Sequence, residues 1–241
     1  MLEYLQEIRK RLIHSLLVFA LIFLICFSGA DRLYHLLFMP LIKALPKDSS
    51  IIATSVTSLV FTPLQLAFYA AFLLTIPFVL WHIWRFVAPG LYAYEKKAFR
   101  QLALASLGLF LVGVMFAYTI VLPFMYQFFI AMRPMGVQLM PDIRQTMEFS
   151  IQMLMLFGLC FQLPVLCIFL LRFKLLTLAQ MRAARPYVII ASFVIGMLLT
   201  PPDVLSQCIL AIPMCLLYEV GLLWGRGYRP SEGTRVKSSA N

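Results

Sequence analysis

Long apolar runs constrain the fold of this chain more than any other feature of its sequence. Of its 241 residues, 62% are hydrophobic and only 12% are charged, whereas a soluble domain carries about 25% charge. The runs are roughly 20 residues long, as a membrane-spanning helix requires, and they lack the alternation of a membrane barrel strand. The sequence therefore predicts an all-α integral membrane protein.

Six apolar runs predict six transmembrane helices in a single domain, residues 1–225, followed by a polar tail, residues 226–241, that we expect to be disordered. Pro186 and Pro201 bracket the fifth run and leave room for about 15 residues of helix, or roughly 22 Å. Because the hydrocarbon core is about 30 Å thick, we expect the bilayer to thin beside short fifth and sixth helices. The predicted spans are residues 13–30, 64–84, 102–124, 149–171, 187–199 and 204–224.

Basic residues are distributed unequally between the two sides that this topology defines. Fifteen of the 20 lysines and arginines fall in the two termini and in the segments after the second and fourth spans, and five fall elsewhere. Since cationic segments stay in the cytoplasm, both termini are predicted to be cytoplasmic. The net charge of +10 follows the topology rather than one surface, so nucleic acid is not an expected partner.

Prolines inside three spans predict a bent bundle. Pro77, Pro164 and Pro213 lie in the second, fourth and sixth spans, and each removes a backbone hydrogen bond and favours a kink. The expected architecture is therefore a kinked, concave, glove-like bundle rather than a set of straight helices.

The two long segments on the outer side are expected to form structured periplasmic loops. Apolar residues at helical spacing predict a short interfacial helix over residues 33–45. Pro40 is expected to interrupt that helix. The mixed polar and apolar residues 51–62 are expected to be extended.

Two glutamates occur in short basic clusters of a chain that contains few acids. Glu7 precedes Arg9, Lys10 and Arg11, and Glu95 precedes a pair of lysines. The predicted topology puts both glutamates on the cytoplasmic side. A pair of carboxylates there is a site for a cationic ligand, and the arginine guanidinium matches carboxylate geometry best. The alternative is that each glutamate neutralises its basic neighbours.

Polar side chains inside the spans are candidates for contacts with other helices. Gln162 lies in the middle of the fourth span and Gln207 one turn into the sixth. Such groups usually face a partner or a wet cavity, and a hydrogen bond within the bundle is an equally good interpretation. Glu219 is expected to reach toward the interface beside Arg226.

Motifs for catalysis are absent from the sequence. It has no GxxxxGK[ST] loop, no HExxH, no GxSxG and no paired intramembrane aspartates. The five cysteines lie inside apolar runs, where they serve as packing residues. We therefore expect neither an enzyme nor a bound cofactor. A secondary transporter of a small solute remains an alternative function, although no repeat relates the two halves.

Four segments occur together along residues 4–227, nearly the whole chain. They are Glu-Ile-Arg-Lys-Arg-Leu at 7–12, Met-Pro-Leu-Ile-Lys-Ala-Leu-Pro at 39–46, Phe-Val-Ala-Pro-Gly-Leu-Tyr at 86–92 followed by Glu95, and a segment at 185–203 that begins Arg-Pro-Tyr and ends Thr-Pro-Pro-Asp. Together with six spans, these segments resemble the TatC family, the multispanning subunit of the twin-arginine protein translocase.

The resemblance implies a receptor in the bacterial cytoplasmic (inner) membrane. Such a protein binds twin-arginine signal peptides of folded proteins at its cytoplasmic face, recruits TatA-like and TatB-like single-span proteins and uses the proton-motive force. It also implies contact with membrane lipid and self-association in a multimeric receptor complex. The residues implied are Glu7, Glu95, Arg9, Arg11, Phe86 and Tyr92 for the signal peptide, Gln162, Met197, Thr200 and Gln207 for partner helices, and Pro40 and Asp203 for an outer-side role.

Gln162 departs from the family pattern, in which a glutamate often occupies this position. A glutamine side chain keeps its hydrogen-bonding capacity but does not ionise. The resemblance therefore implies an amide contact with a partner helix at this position, and no titration there.

Overall fold

Helices make up nearly all of the computed structural model, which describes residues 2–46, 50–87, 96–133, 140–173, 175–199 and 204–227. Within these ranges, extended backbone pairs once, at a bridge between Ile52 and Asp142. The predicted all-α class is therefore confirmed. The helices are α1 (Leu2–Ser28), α2 (Ala30–Ala44), α3 (Val56–Val87), α4 (Lys96–Phe116), α5 (Leu122–Ala131), α6 (Ile143–Cys160), α7 (Leu163–Arg172), α8 (Leu178–Ala183), α9 (Arg185–Leu199) and α10 (Val204–Gly227).

The chain folds as two compact units, Met1–Cys160 with α1 to α6 and Phe161–Asn241 with α7 to α10. Within the described residues, five helical segments are long and apolar enough to cross a membrane, and the 15-residue α9 is a shorter apolar helix. The prediction of a short fifth span is thus confirmed. The prediction of a short sixth helix is wrong, because α10 continues unbroken for 24 residues through its internal proline.

The first unit is assembled on the contact between α1 and α3. Small residues on α3, Ala67 and Ala71, are fully buried against the α1 side of the pair and allow the two helices to approach closely. The rings of Phe19 and Phe68 meet edge to face with centroids 5.3 Å apart. The opposite face of α1 carries leucines that are 62–68% exposed, as expected for a helix whose outer face contacts lipid.

Prolines act differently in different helices. Pro77 and Pro213 lie inside the continuous helices α3 and α10. By contrast, the fourth span is broken into α6 and α7 at residues 161–162, directly before Pro164. A proline in the first turn of a helix leaves no donor unsatisfied, because those N–H groups lack intrahelical partners in any case. The break therefore places Gln162 in a turn rather than in the middle of a helix.

Pro40 is buried inside α2 and does not interrupt it, so this prediction is wrong. Proline has no N–H to donate to the carbonyl of Leu36, four residues earlier. The Tyr118 hydroxyl donates to that carbonyl instead, at 2.6 Å. Tyr118 belongs to a π-helical turn, Ala117–Val121, that joins α4 to α5. A partner 82 residues away thus satisfies the carbonyl that the proline leaves open.

The segment expected to be extended over residues 51–62 is mostly helical, because α3 begins at Val56. Ser55 precedes it and provides a cap: its side-chain oxygen accepts from the Ser58 N–H at 3.2 Å. Such caps are strong helix-start signals that a reading of polar and apolar alternation overlooks.

Candidate functional site

One end of the α1–α3 pair brings together part of the predicted cytoplasmic site. Nη1 of Arg11 donates to the carbonyl oxygen of His82 at 2.9 Å. This bond holds the N-terminal part of α1 beside the last turns of α3, where the backbone of Phe86 lies. Arg9 is exposed at the same end of α1. A guanidinium at a helix C-terminus also interacts favourably with the negative end of the helix dipole.

The two predicted carboxylates are placed only through the backbone. Glu7 lies in α1, and its side chain is outside the described residues, as is the side chain of Phe86. Tyr92 and Glu95 lie outside the described residues altogether, and Glu95 immediately precedes α4, which begins at Lys96. The pairing of Glu7 with Glu95 therefore stays a prediction.

The predicted partner-helix residues of the second unit lie near the C-terminal end of α9 and the N-terminal end of α10. A methyl group added at Gly196 would lie 3.5 Å from the carbonyl oxygen of Gln207, so the two helices meet closely at this level. Gln207 is half-buried, whereas Met197 is 54% exposed on α9. Thr200 and Asp203 lie outside the described residues.

Gln162 occupies the position directly before α7. Its backbone carbonyl accepts from the Leu166 N–H at 2.8 Å, and its side chain is partly buried. Gln162 thus takes part in the first turn of α7 through its backbone, at the point where α6 and α7 are separate helices.

Glu219 has a partner that the sequence analysis did not anticipate. Its Oε2 accepts from Nη2 of Arg185 at 2.7 Å, and both side chains are a little under half exposed. This ion pair joins α9 to α10, and the predicted position beside Arg226 falls on a side chain outside the described residues. The pair borders an apolar groove of about 320 Å³ between these helices, whose lining includes Ile189, Phe193 and Leu216.

Asp142 organises the start of α6 in the first unit, and sequence analysis missed it. One carboxylate oxygen, Oδ1, accepts from the N–H groups of Arg144 and Gln145, which caps α6. The other, Oδ2, accepts from the N–H of Thr54 at 3.1 Å and from its hydroxyl at 2.7 Å. An aspartate before an apolar run is a helix-start signal that would have identified the cap. The hydrogen bonds with Thr54, 88 residues away, are not indicated by any local sequence pattern.

The hydrogen bonds from Thr54 to Asp142 hold Thr54 against the start of α6, and we call them the Thr54 clamp. Protonation of Asp142 is expected to break this clamp. The hydrogen bond from the Thr54 hydroxyl and the backbone bond from Gln145 lower the pKa of the Asp142 carboxyl below its ordinary value of 3.8. A carboxyl whose pKa is lower in the folded state stabilises that state above the ordinary pKa, and the contribution is lost as the pH falls through the folded value. Asp142→Ala removes the cap of α6 and should lower the stability of this region by about 1 kcal/mol.

The measurement is amide hydrogen exchange at Ile52 and Ile143, whose N–H groups bond to Pro141 and Ile52 across the clamp. Exchange at both should quicken in Asp142→Ala, while Asp31→Ala, which removes an exposed carboxylate from α2, should leave it unchanged. Equal protection in the Asp142 variant would contradict the assignment.

The fold and these sites define a class: an all-helical, multispanning membrane protein with a basic end on its first helix pair and one short helix in its second unit. The family described as Sec-independent protein translocase protein (TatC) matches residues 3–213. The chain belongs to the TatC family. It is an integral membrane protein of the bacterial inner membrane and a protein translocase component rather than an enzyme.

Relatives and solved structures support this membership along nearly the full chain. TatC of Escherichia coli K12 is 41% identical over 228 residues, which is 95% of this chain and 88% of that protein. TatC of Haemophilus influenzae is 40% identical over 232 residues, covering 96% and 91%. A crystal structure of the twin-arginine translocase receptor TatC is similar with a TM-score of 0.82 at 33% identity, covering 92% of this chain and 98% of that one.

Proposed function

We propose that this protein is the signal-peptide receptor of a twin-arginine translocase, with both termini in the cytoplasm. The observation that carries the proposal is the bond between Arg11 and the carbonyl of His82. It joins the helix that contains Glu7 to the end of α3, from which eight residues lead to α4 and end at Glu95. Because α3 and α4 are consecutive spans, the segment between them lies on one side of the membrane.

The proposed ligand is a pair of arginines in an export signal. Two carboxylates accept paired N–H groups from two guanidinium forks, and hydrogen bonds to charged groups contribute about 1.5–3 kcal/mol each. A lysine offers a point charge without the planar fork. Arg9 and Lys10 are exposed beside Glu7, and their charges disfavour cations that cannot form the paired bonds.

Partner helices of TatA-like and TatB-like proteins are proposed to dock on the second unit. The 15-residue α9 spans roughly 22 Å, less than the hydrocarbon core of about 30 Å. Thinned bilayer beside it favours association with further helices. Met197 offers exposed apolar surface there, and the close contact of Gly196 with Gln207 places an amide on the adjoining helix.

Removing either carboxylate should abolish signal recognition. In Glu7→Gln and Glu95→Gln, crosslinking of a twin-arginine signal peptide to membranes that contain the protein should fall at least about tenfold, because charge-assisted bonds are lost. Asp31→Asn, which neutralises an exposed carboxylate in the first turn of α2, is the matched control and should crosslink normally. A twin-lysine peptide should crosslink poorly to every variant. Wild-type crosslinking in both glutamate variants would defeat the proposal.

A further inference from the structure

An apolar cleft of about 550 Å³ lies in the first unit, between α2, α3, α4 and α6. Its floor is formed by leucine and isoleucine side chains that are buried, whereas the side chains of its rim are 53–68% exposed. This difference shows that the cleft is concave rather than a flat face of the bundle. The floor includes Leu37, Leu66, Ile151 and Leu154, and the rim includes Leu36, Leu74, Leu111 and Met115.

The cleft offers a ligand almost no hydrogen bonding. Among the described residues that line it, two have polar side chains, Tyr69 and Tyr118. The Tyr118 hydroxyl already donates to the Leu36 carbonyl at 2.6 Å. A site of this composition selects an apolar group, because a polar group would lose its own hydrogen bonds on entering it.

The mouth of the cleft lies at the depth of lipid tails. α3 and α4 belong to apolar segments, Val56–Arg85 and Arg100–Ala131, that are long enough to cross a membrane. The rim residues Leu74 and Met115 lie near the middle of these two segments. Since the hydrocarbon core contains no water to fill such a space, the occupant is a hydrocarbon group.

The size of the cleft suits an acyl chain rather than a helix. One turn of an α-helix about 10 Å in diameter, with a pitch of 5.4 Å, occupies about 420 Å³. The cleft would therefore take in little more than one turn. Helices in membranes associate closely through small residues, whereas the rim of this cleft is made of leucine and methionine side chains. A chain of methylene groups follows such a surface and gains many small dispersion contacts.

We propose that the cleft binds one acyl chain of a bilayer phospholipid. α2 begins at Ala30, two residues after the apolar segment of α1 ends at Ser28, so the lipid belongs to the leaflet in which α1 ends. The bound chain packs against Leu36, beside the hydrogen bond from Tyr118, and supports α2 where it meets the π-helical turn. The site does not depend on the proposed function.

The test uses the purified full-length protein in detergent micelles, where detergent displaces lipids that only surround the protein. The probe is phosphatidylcholine with a photoactivatable diazirine in its acyl chain. After irradiation, mass spectrometry of peptides should locate crosslinks at the rim, around Leu74 and Met115. Native mass spectrometry should show one lipid retained on the protein.

Leu111→Trp should reduce rim crosslinking by about fivefold or more and remove the retained lipid, because a cleft filled by a larger side chain has no room for a second group. Leu74→Trp fills the same cleft from α3 and should have the same effect, which keeps the test valid if one variant fails to fold. Melting temperatures in lipid-free detergent identify the folded variants.

The matched control is Leu104→Trp. Leu104 lies two turns before Leu111 on α4 and is equally exposed, at 54% against 56%, but it does not line the cleft. This variant should keep wild-type crosslinking and the retained lipid. The proposal is overturned by crosslinks that are as strong around Leu104 as at the rim, by an equal loss in the control, or by full crosslinking in the folded cleft variants.

Discussion

The substitution Gly221→Leu is expected to force α7 and α10 apart. Overpacking of this kind lowers the free energy of unfolding by about 1–3 kcal/mol, so the melting temperature of the purified protein should fall by about 5–10 °C. A Cβ atom on Gly221 would lie 3.0 Å from the Cα of Pro164 and 3.0 Å from both Cβ and Sγ of Cys167. The Pro164 Cα is backbone, so the contact is relieved only by moving a helix. Small residues allow membrane helices to pack this closely.

A second glycine provides the control for this prediction. A Cβ added at Gly108, on α4, would have nothing within 4 Å apart from its chain neighbours and the backbone of its own helix. Gly108→Leu should therefore leave the melting temperature unchanged or raise it, because leucine has the higher helix propensity. Gly221→Ala should fall between the two, since a single methyl group already makes the 3.0 Å contacts. Similar melting temperatures for the two leucine variants would contradict the close approach of α7 and α10.

Loss of the Tyr118 hydroxyl is expected to destabilise the protein only while position 40 is proline. In Tyr118→Phe the Leu36 carbonyl loses the donor that stands 2.6 Å away, and such a hydrogen bond contributes about 0.5–1.5 kcal/mol to stability. In Pro40→Ala the restored N–H of residue 40 donates to the same carbonyl along the helix. Adding Tyr118→Phe to Pro40→Ala should then cost little, which gives a coupling energy of about 1 kcal/mol.

Thermal unfolding followed by tryptophan fluorescence measures this cycle. Thr119→Val is the matched control, because Thr119 donates to the Met115 carbonyl within its own helix and has no link to Pro40. Its cost should be the same in both backgrounds. If Tyr118→Phe is equally costly with proline and with alanine at position 40, the hydroxyl has some role other than replacing the missing N–H.

Much of the fold was predictable because membrane insertion depends on local properties of the chain. Apolar length predicted the helical class, and the spacing of Pro186 and Pro201 predicted the short α9. Other features depend on contacts between residues that are far apart in the sequence, and these were not predicted. Pro40 stays inside a helix because the Tyr118 hydroxyl bonds to the Leu36 carbonyl, and the pairing of Glu219 with Arg185, 34 residues away, was not predicted.

The candidate site likewise was predictable from the sequence only in part. Sequence analysis identified Glu7, Arg11 and Phe86 by their neighbours and their resemblance to a family, and the structure adds the bond that joins Arg11 to α3. It did not identify the His82 carbonyl as the partner of Arg11, because the two residues are 71 positions apart in the sequence. Their contact depends on the packing of α1 against α3.

The sequence by itself determined that this is a multispanning helical membrane protein, since hydrocarbon excludes charge and unpaired backbone whatever the packing. The tertiary structure alone decided which polar groups meet: Tyr118 with Leu36, Thr54 with Asp142, and Arg185 with Glu219. The physical reason is that a hydrogen bond forms over about 3 Å between groups separated by tens of residues. Only the packing of the helices brings such groups within that distance.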